Sequence, residues 1–178
     1  FMAIFKVSIQ PICRESVIDS VVIFCNYSIA YMSILFIIVV LLSFLGMEAA
    51  AWLAHKYIMH GFLWHIHEDH HRGGYTPFQK NDAFFLIFAI PSWLCIMLGS
   101  MNGAPLVVAI GFGILLYGFT YFIVHDVIIH QRFKWFTRSN NKFIRTWRWA
   151  HKMHHKHLGK EHGESFGMLL VAKKYWKL

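Results

Sequence analysis

Three apolar runs, each close to the length of a membrane-crossing helix, constrain the fold of this chain most. They cover residues 34–54, 83–100 and 105–124. About 20 helical residues span the roughly 30 Å hydrocarbon layer of a bilayer. Hydrophobic residues make up 57% of the sequence and charged residues only 15%, a composition that excludes a disordered chain. We therefore predict an all-α fold: an integral membrane helical bundle formed by a single domain over residues 32–178.

The segment before these runs, residues 1–31, admits two interpretations. Residues 17–31 are apolar but contain Asp19 and Asn26, so they make only a marginal membrane span. The segment is either an extra helix, which would raise the number of transmembrane helices from three to four, or an N-terminal extension outside the main domain. The residues leave both interpretations open.

The distribution of basic residues predicts which ends of the spans face the cytoplasm. Residues 101–104 contain no Lys or Arg, whereas Lys56, Arg72 and Lys80 lie between the first two runs. Twelve more basic residues follow Val124. Because cytoplasmic loops of membrane proteins carry an excess of Lys and Arg, we expect both basic segments on the cytoplasmic side. The net charge of +8 then has a membrane explanation, and we predict no nucleic-acid partner.

Histidine is the residue type that points to chemistry. All 13 histidines lie within residues 55–71 and 125–162, the two segments predicted to be cytoplasmic. Ten of them form two copies each of two spacings. The spacing HxxxxH occurs at His55/His60 and His125/His130, and HxxHH occurs at His67/His70/His71 and His151/His154/His155. The bundle is therefore predicted to carry a cytoplasmic histidine-rich helical cap.

The two spacings make different demands on a helix. On a regular helix the three rings of HxxHH fall within an arc of about 100°, so all three can point at one centre. The two rings of HxxxxH are about 140° apart, so that pair requires a distorted helix end or two metal ions. Both HxxxxH pairs begin where an apolar run ends, which suits either arrangement.

Ten neutral imidazoles exceed the needs of one tetrahedral zinc ion. They match two metal ions with about four or five nitrogen ligands each and positions left for oxygen. Imidazole binds iron, zinc and copper, so the ligand type leaves the metal open. Asp126, next to His125, is a candidate to accept a hydrogen bond from the second ring nitrogen of a ligand histidine.

Several polar residues fall outside this pattern. His65, His157 and His162 match neither spacing, and we interpret them as surface or supporting residues. Glu48 lies inside the first apolar run, where an acidic side chain is costly. It is either a functional residue or the partner of a lysine or a ligand histidine.

The helix around His151 is predicted to be amphipathic and to lie at the membrane surface, with its histidines turned toward the protein. Its basic side, predicted to face lipid phosphates, consists of Arg145, Arg148, Lys152 and Lys156. The sequence contains no haem, flavin or nicotinamide motif, so redox chemistry would need an external electron donor. A ferredoxin-type protein, which is acidic, suits the basic cytoplasmic face. The sequence carries no signal for the oligomeric state.

Four strings of the sequence resemble a known family. They are AHKYIMHG at 54–61, HxxHH at 67–71, VHDVIIHQR at 124–132, and AHKMHH at 150–155 followed by GKE and SFG. Together they resemble the bacterial β-carotene hydroxylases of the fatty acid hydroxylase and sterol desaturase superfamily of membrane di-iron oxygenases. The resemblance covers roughly residues 32–168. The superfamily shares the histidine set, whereas the first string and the GKE…SFG tail are specific to the carotenoid branch.

The resemblance implies an enzyme, a non-haem di-iron β-carotene 3-hydroxylase of the bacterial inner membrane. It implies hydroxylation at C3 of each β-ionone ring of β-carotene, through β-cryptoxanthin to zeaxanthin. The catalytic centre would be two iron ions, with O₂ as co-substrate. The implied iron ligands are His55, His60, His67, His70, His71, His125, His130, His151, His154 and His155.

Other functions fit part of the pattern. A carotenoid ketolase or a lipid hydroxylase of the same superfamily would use the same metal site. A membrane metal transporter would need polar or histidine residues inside its spans. Here the histidines cluster at the ends of the apolar runs, which disfavours transport.

Overall fold

The computed structural model describes residues 12–73 and 78–177, with side chains from residue 19 onward. Within these ranges the chain is helical and has no β-strand, as predicted. The α-helices are α1 (Ile12–Leu53), α2 (Trp64–Arg72), α3 (Phe84–Met101), α4 (Pro105–Tyr121) and α5 (Lys142–His155). Two π-helical segments, Ala54–Phe62 and Phe122–Ile129, continue α1 and α4. Short 3₁₀ helices cover Lys80–Ala83 and Lys173–Lys177.

Three stretches of the described chain are long and apolar enough to cross a membrane, which confirms the predicted bundle. They are Asp19–Phe62, Lys80–Met101 and Pro105–Ile129. Apolar side chains such as Leu42, Phe85 and Phe119 are exposed on the outside of these helices, as a lipid-facing surface requires. Residues 12–31 run directly into the first span as part of α1. Residues 1–11 lie outside the described residues, and the division of the chain at residue 31 stays a prediction.

Helix α4 packs against both α1 and α3, and two glycines make this close approach possible. A Cβ atom at Gly111 would lie 2.6 Å from Cγ1 of Ile96 on α3. A Cβ atom at Gly113 would lie 2.5 Å from Cβ of Ser43 on α1. Small residues at such contacts are the usual means of packing helices in a membrane. The bundle thus brings the C-terminal ends of α1 and α4 together.

The histidine-rich elements all lie at that end of the bundle. A tight turn at residues 102–104 joins α3 to α4 at the other end. The two π segments lead out of α1 and α4, and α2 follows the first of them. Asn141 starts α5 by accepting a hydrogen bond from the backbone N–H of Phe143 at 2.9 Å. After α5, residues 157–170, here called the C-terminal strap, cross the bundle end without regular secondary structure.

Candidate metal centre

The structure gathers all ten patterned histidines at one end of the bundle. Nine of them form two clusters, in each of which one potential ligand atom per residue lies within 4.8 Å of the others. The first histidine cluster contains His55, His60, His67, His71 and His154, and the second contains His70, His130, His151 and His155. The tenth ring, His125, lies beside the second cluster, with its Nε2 3.1 Å from Nε2 of His70.

Of the two arrangements open to HxxxxH, the structure shows a distorted helix end at both pairs, and the distortion is π-helical. The backbone N–H of His130 donates to the carbonyl of His125 at 2.8 Å, which is the i→i+5 bond of a π turn. A π turn places residues five apart on one side of the helix, so the rings of this pair have centroids only 4.5 Å apart. The rings of His55 and His60 are 5.2 Å apart for the same reason. Gly61 then leaves helical geometry and redirects the chain into α2.

The three rings of each HxxHH motif, which could all point at one centre on a regular helix, are divided between the two clusters. On α2, His67 and His71 join the first cluster, whereas His70 joins the second. On α5 the division is reversed, because His151 and His155 join the second cluster and His154 joins the first. Residues i and i+4 lie nearly above one another on a helix, while the ring between them is turned aside. Each of these helices therefore serves both clusters.

Most of the ten rings are fixed through Nδ1, which leaves Nε2 for the cluster interior. Seven rings place Nδ1 within hydrogen-bond range of a carbonyl, amide or carboxylate oxygen. Two examples are His67 with Oδ1 of Asn81 at 2.6 Å and His55 with the carbonyl of Phe166 at 3.0 Å. A metal-bound imidazole is normally held in this way, with its other nitrogen donating to an oxygen. The donor set therefore has the arrangement of a metal site.

The contacts among the Nε2 atoms also fit metal ions. The Nε2 atoms of His55 and His67 are 3.2 Å apart, although both rings already use Nδ1 for an oxygen acceptor. Two ligands about 2.1 Å from one ion and at right angles to each other would be about 3.0 Å apart. Nε2 of His71 is buried and has no hydrogen-bond partner among the described residues. A cation at the cluster centre would satisfy these inward-facing nitrogens.

Burial keeps the imidazoles in the neutral form that a metal requires. Desolvation is the largest cause in each case, and neighbouring histidines add to it. The pKa of His71 is lowered to about 4 and that of His154 to about 3. Burial also lowers the pKa values of His130, His151 and His155 far below their usual range. These rings are therefore unprotonated at neutral pH and available as ligands.

Arg132 organises the polar surroundings of the second cluster. Its guanidinium lies 2.7 Å from Oδ1 of Asp82 and 3.0 Å from Oδ1 of Asp126. The guanidinium also donates a hydrogen bond to Oε1 of Gln79 at 3.1 Å. The same oxygen accepts a hydrogen bond from Nδ1 of His70 at 2.9 Å. Asp126 itself lies 3.4 Å from Nδ1 of His125. The carboxylates hold the pKa of Arg132 above its usual value.

Sequence reasoning missed Gln79, Asn81 and Arg132 as parts of the site. Asn81 and Asp82 lie in the 3₁₀ helix Lys80–Ala83, just before the second apolar run. Arg132 lies two residues after the second HxxxxH pair, and this position was the available signal. Their contacts with ligand candidates depend on how α2, α3 and the second π segment meet, which no local pattern encodes.

Glu48 has partners that neither interpretation anticipated. It is buried, and its carboxylate accepts hydrogen bonds from the Tyr117 hydroxyl at 2.8 Å and from three backbone N–H groups of the C-terminal strap. Of the three unpatterned histidines, His65 and His162 are exposed. His157 contributes its backbone carbonyl, which accepts from Nδ1 of His71 at 3.1 Å.

The basic side of α5 differs from the prediction at one position. Arg145, Lys152 and Lys156 are exposed, as expected. Arg148 is instead half-buried, and its guanidinium donates to the carbonyls of Ile128 and Phe136 at 2.8 and 2.9 Å. It therefore ties α5 to the second π segment. Charge periodicity alone could not reveal these carbonyl partners.

Comparison with known proteins identifies the family. The sequence profile described as fatty acid hydroxylase matches residues 40–172, which include all ten patterned histidines. The chain belongs to the fatty acid hydroxylase family. A beta-carotene hydroxylase of Pantoea ananas is 42% identical over 132 residues, which cover 74% of this chain and 75% of the relative. One of Pseudescherichia vulneris is 38% identical over 138 residues, which cover 76% and 77% of the two chains.

The family also has plant relatives. The chloroplastic beta-carotene hydroxylase 2 of Capsicum annuum is 36% identical over 132 residues, which cover 72% of this chain and 42% of the relative. No solved structure matches the chain. Membership of the fatty acid hydroxylase family and the buried histidine clusters together indicate a metal-binding membrane oxygenase.

Proposed function

We propose that this protein hydroxylates β-carotene at C3 of each β-ionone ring, giving β-cryptoxanthin and then zeaxanthin. The relatives named beta-carotene hydroxylase, which match most of the chain, support this substrate. The observation that carries the proposal is the convergence of two buried imidazole clusters at one end of a membrane bundle.

We assign one iron ion to each cluster, with the ten patterned histidines as ligands and Asp126 as a supporting residue beside His125. The clusters offer five and four imidazoles, and His125 adjoins the second. Four or five imidazoles leave one or two positions of an octahedral ion for oxygen. Neutral imidazole also suits zinc and copper, so family membership is what favours iron.

The proposed reaction places one oxygen atom of O₂ into a C–H bond of the substrate. The C3–H group becomes C3–OH, the second oxygen atom leaves as water, and two electrons and two protons are consumed. When bound, the iron pair supplies O₂ activation and the oxidation of an unactivated C–H bond. The chain holds the ligand rings through Nδ1 and buries them, which excludes bulk water from the reacting centre.

The position of the clusters suits a substrate dissolved in lipid. The π segments that carry His55, His60 and His125 continue directly from membrane spans. The imidazoles therefore lie where the apolar spans end, within reach of a ring that enters from the bilayer. β-Carotene is a long apolar molecule, and it could reach the clusters without passing through water.

The clusters are proposed to face the cytoplasm, where an electron donor is available. Basic residues concentrate at this end, and none lies in the turn at residues 101–104. Exposed Arg145, Lys152 and Lys156 form a basic face on and beside α5. A ferredoxin-type protein would be attracted to it, so turnover should fall as ionic strength rises and when Arg145 and Lys152 are reversed to Glu.

Pigment analysis in a bacterium that makes β-carotene tests the function directly. Expression of the wild-type chain should convert β-carotene to β-cryptoxanthin and zeaxanthin. Keto-carotenoids in their place would identify a ketolase. An unchanged pigment profile, with the protein present in the membrane and loaded with iron, would favour a lipid hydroxylase and reject β-carotene as the substrate.

A further inference from the structure

The C-terminal strap supplies the oxygen atoms that orient most of the first histidine cluster. Its backbone carbonyls accept hydrogen bonds from the Nδ1 atoms of four histidines. The carbonyl of residue 157 accepts from His71, that of residue 160 from His60, that of residue 164 from His154 and that of residue 166 from His55. The four distances lie between 2.9 and 3.1 Å. All four rings belong to the first cluster. In the second cluster, His70 uses the side chain of Gln79 instead.

The strap has little regular structure of its own to hold these carbonyls in place. Residues 157–170 contain no helix or strand. His162 and Ser165 have positive φ angles of 62° and 61°, which non-glycine residues adopt at an energetic cost. A backbone of this kind keeps its shape only when contacts from outside fix it.

Glu48 provides such a contact from within the bundle. Its Oε1 accepts from the backbone N–H groups of Met168, Leu169 and Leu170 at 3.0, 2.9 and 3.0 Å. Its Oε2 accepts from the Tyr117 hydroxyl on α4 at 2.8 Å. Glu48 is only 8% exposed, so these four donors replace water around the carboxylate. The strap is thereby fixed to α1 and α4 together.

The strap is also shaped to reach this carboxylate. A Cβ atom at Gly167 would lie 3.3 Å from Oε1 of Glu48 and 2.7 Å from the carbonyl of Leu170. The second contact involves backbone, which cannot move aside as a flexible side chain can. Gly167 therefore permits the tight approach of the strap to Glu48, immediately after Phe166, whose carbonyl orients His55.

We propose that Glu48 is a positioning residue: it anchors the C-terminal strap, and through the strap it sets the orientation of His55, His60, His71 and His154 while leaving the second cluster untouched. The inference rests on the proposed function in that each cluster is taken as one iron site. It assigns the buried acid a role through the strap, without contact with iron or substrate.

Glu48→Leu, purified in detergent after expression with iron, tests the proposal. Removal of the anchor should lower the iron affinity of the first cluster by about 10- to 100-fold, the usual effect of losing outer partners of a metal ligand. Iron content should fall by half, and Mössbauer spectra should lose or alter the signal of one site only. Hydrogen exchange should accelerate in peptides from residues 157–170, while α3 and α4 stay protected.

Three further variants separate anchoring from general damage to the fold. Glu48→Gln should restore iron content and strap protection, because its amide oxygen can still accept from the three backbone N–H groups. Gly167→Ala changes the strap and leaves the sequence of α1 as it is. It should cause the same loss of iron and of strap protection as Glu48→Leu. Ser92→Ala is the matched control, since it removes a buried hydrogen bond between α3 and α4 that is remote from the strap.

Each outcome decides the proposal. Unchanged iron content and unchanged strap exchange in Glu48→Leu would overturn it, and so would equal loss from both iron sites in a folded protein. If Glu48→Leu does not fold, Gly167→Ala carries the same expectations. Wild-type protein that binds no iron would instead reject the proposed metal centre, and hydrogen exchange would still report whether Glu48 anchors the strap.

Discussion

The Nε2 atoms of His60 and His154 lie 3.2 Å apart, and neither can donate a proton to the other. His60 gives its Nδ1 proton to the carbonyl of Lys160 at 3.0 Å, and His154 gives its Nδ1 proton to the carbonyl of Glu164 at 2.9 Å. A neutral imidazole has a single N–H, so two lone pairs face each other across the contact. A cation between them turns a repulsive contact into a favourable one.

Replacing one of these nitrogens should therefore disable the centre. His154→Ala is expected to abolish hydroxylation and to lower bound iron, because the first cluster loses an inward-facing ligand. Pigment analysis and iron determination on the purified protein provide the measurements. His65→Ala is the control, since this exposed residue lies on α2 beside the patterned histidines but joins neither cluster. Substantial zeaxanthin from His154→Ala would refute the ligand assignment.

Much of the fold could be predicted because its signals are local. A long apolar run specifies a membrane helix irrespective of its neighbours, and the runs at 83–100 and 105–124 reappear in α3 and α4. Histidine spacing likewise identified the residues that converge. For the HxxxxH pairs, a distorted helix end was one of the two arrangements that the spacing allowed, and the two π segments provide it.

The division of the histidines between two centres could not be predicted. An arc of about 100° on α2 can face one centre or straddle two, and only the position of α5 opposite decides which. The roles of Asn81, Arg132 and the strap carbonyls depend in the same way on contacts between segments far apart in sequence. Backbone carbonyls in particular leave no trace in residue identity, since every residue has one.

Asn81 should matter through His67, whose Nδ1 lies 2.6 Å from the amide oxygen. Asn81→Ala is expected to lower iron affinity at the first cluster by about 10- to 100-fold. Asn81→Asp should retain most of it, because a carboxylate can accept the same hydrogen bond. Iron titration of the chelator-treated protein measures the effect. Asn102→Ala, at the α3–α4 turn, serves as control, and an equal loss there would point to general destabilisation.

Arg132 is expected to be irreplaceable by lysine. Its planar guanidinium contacts Asp82, Asp126 and Gln79 together, which a single ammonium group cannot reproduce. Arg132→Lys should leave the side chain of Gln79, which orients His70, less firmly held. Iron binding should weaken at the second cluster and stay unchanged at the first. Mössbauer spectra of the iron-loaded variant distinguish the two sites. Exposed Arg145→Lys should leave both signals intact, and a wild-type spectrum for Arg132→Lys would contradict the supporting role.

Gly113 tests the packing that brings the ends of α1 and α4 together. Gly113→Ala places a methyl group 2.5 Å from Cβ of Ser43 and 2.7 Å from the carbonyl of Val40, so the helices must separate. The expected cost is about 1–3 kcal/mol, measured by thermal unfolding in detergent. Gly118→Ala meets no atom within 4 Å and should be neutral or stabilising. Equal stability of the two variants would show that α1 and α4 do not pack as described.

Mild acid should destabilise the metal-free protein. Histidines in the unfolded chain bind protons near pH 6.5, whereas burial lowers the pKa of folded His71 to about 4 and of folded His154 to about 3. Between these values the unfolded state holds more protons than the folded state, so the free energy of unfolding falls as the pH is lowered. Unfolding temperatures of chelator-treated protein should therefore drop steadily from pH 7.5 to pH 4.5. His71→Leu removes one of these groups and should make that dependence less steep. An unfolding temperature that does not change over this range would show that the rings are not buried in the neutral form.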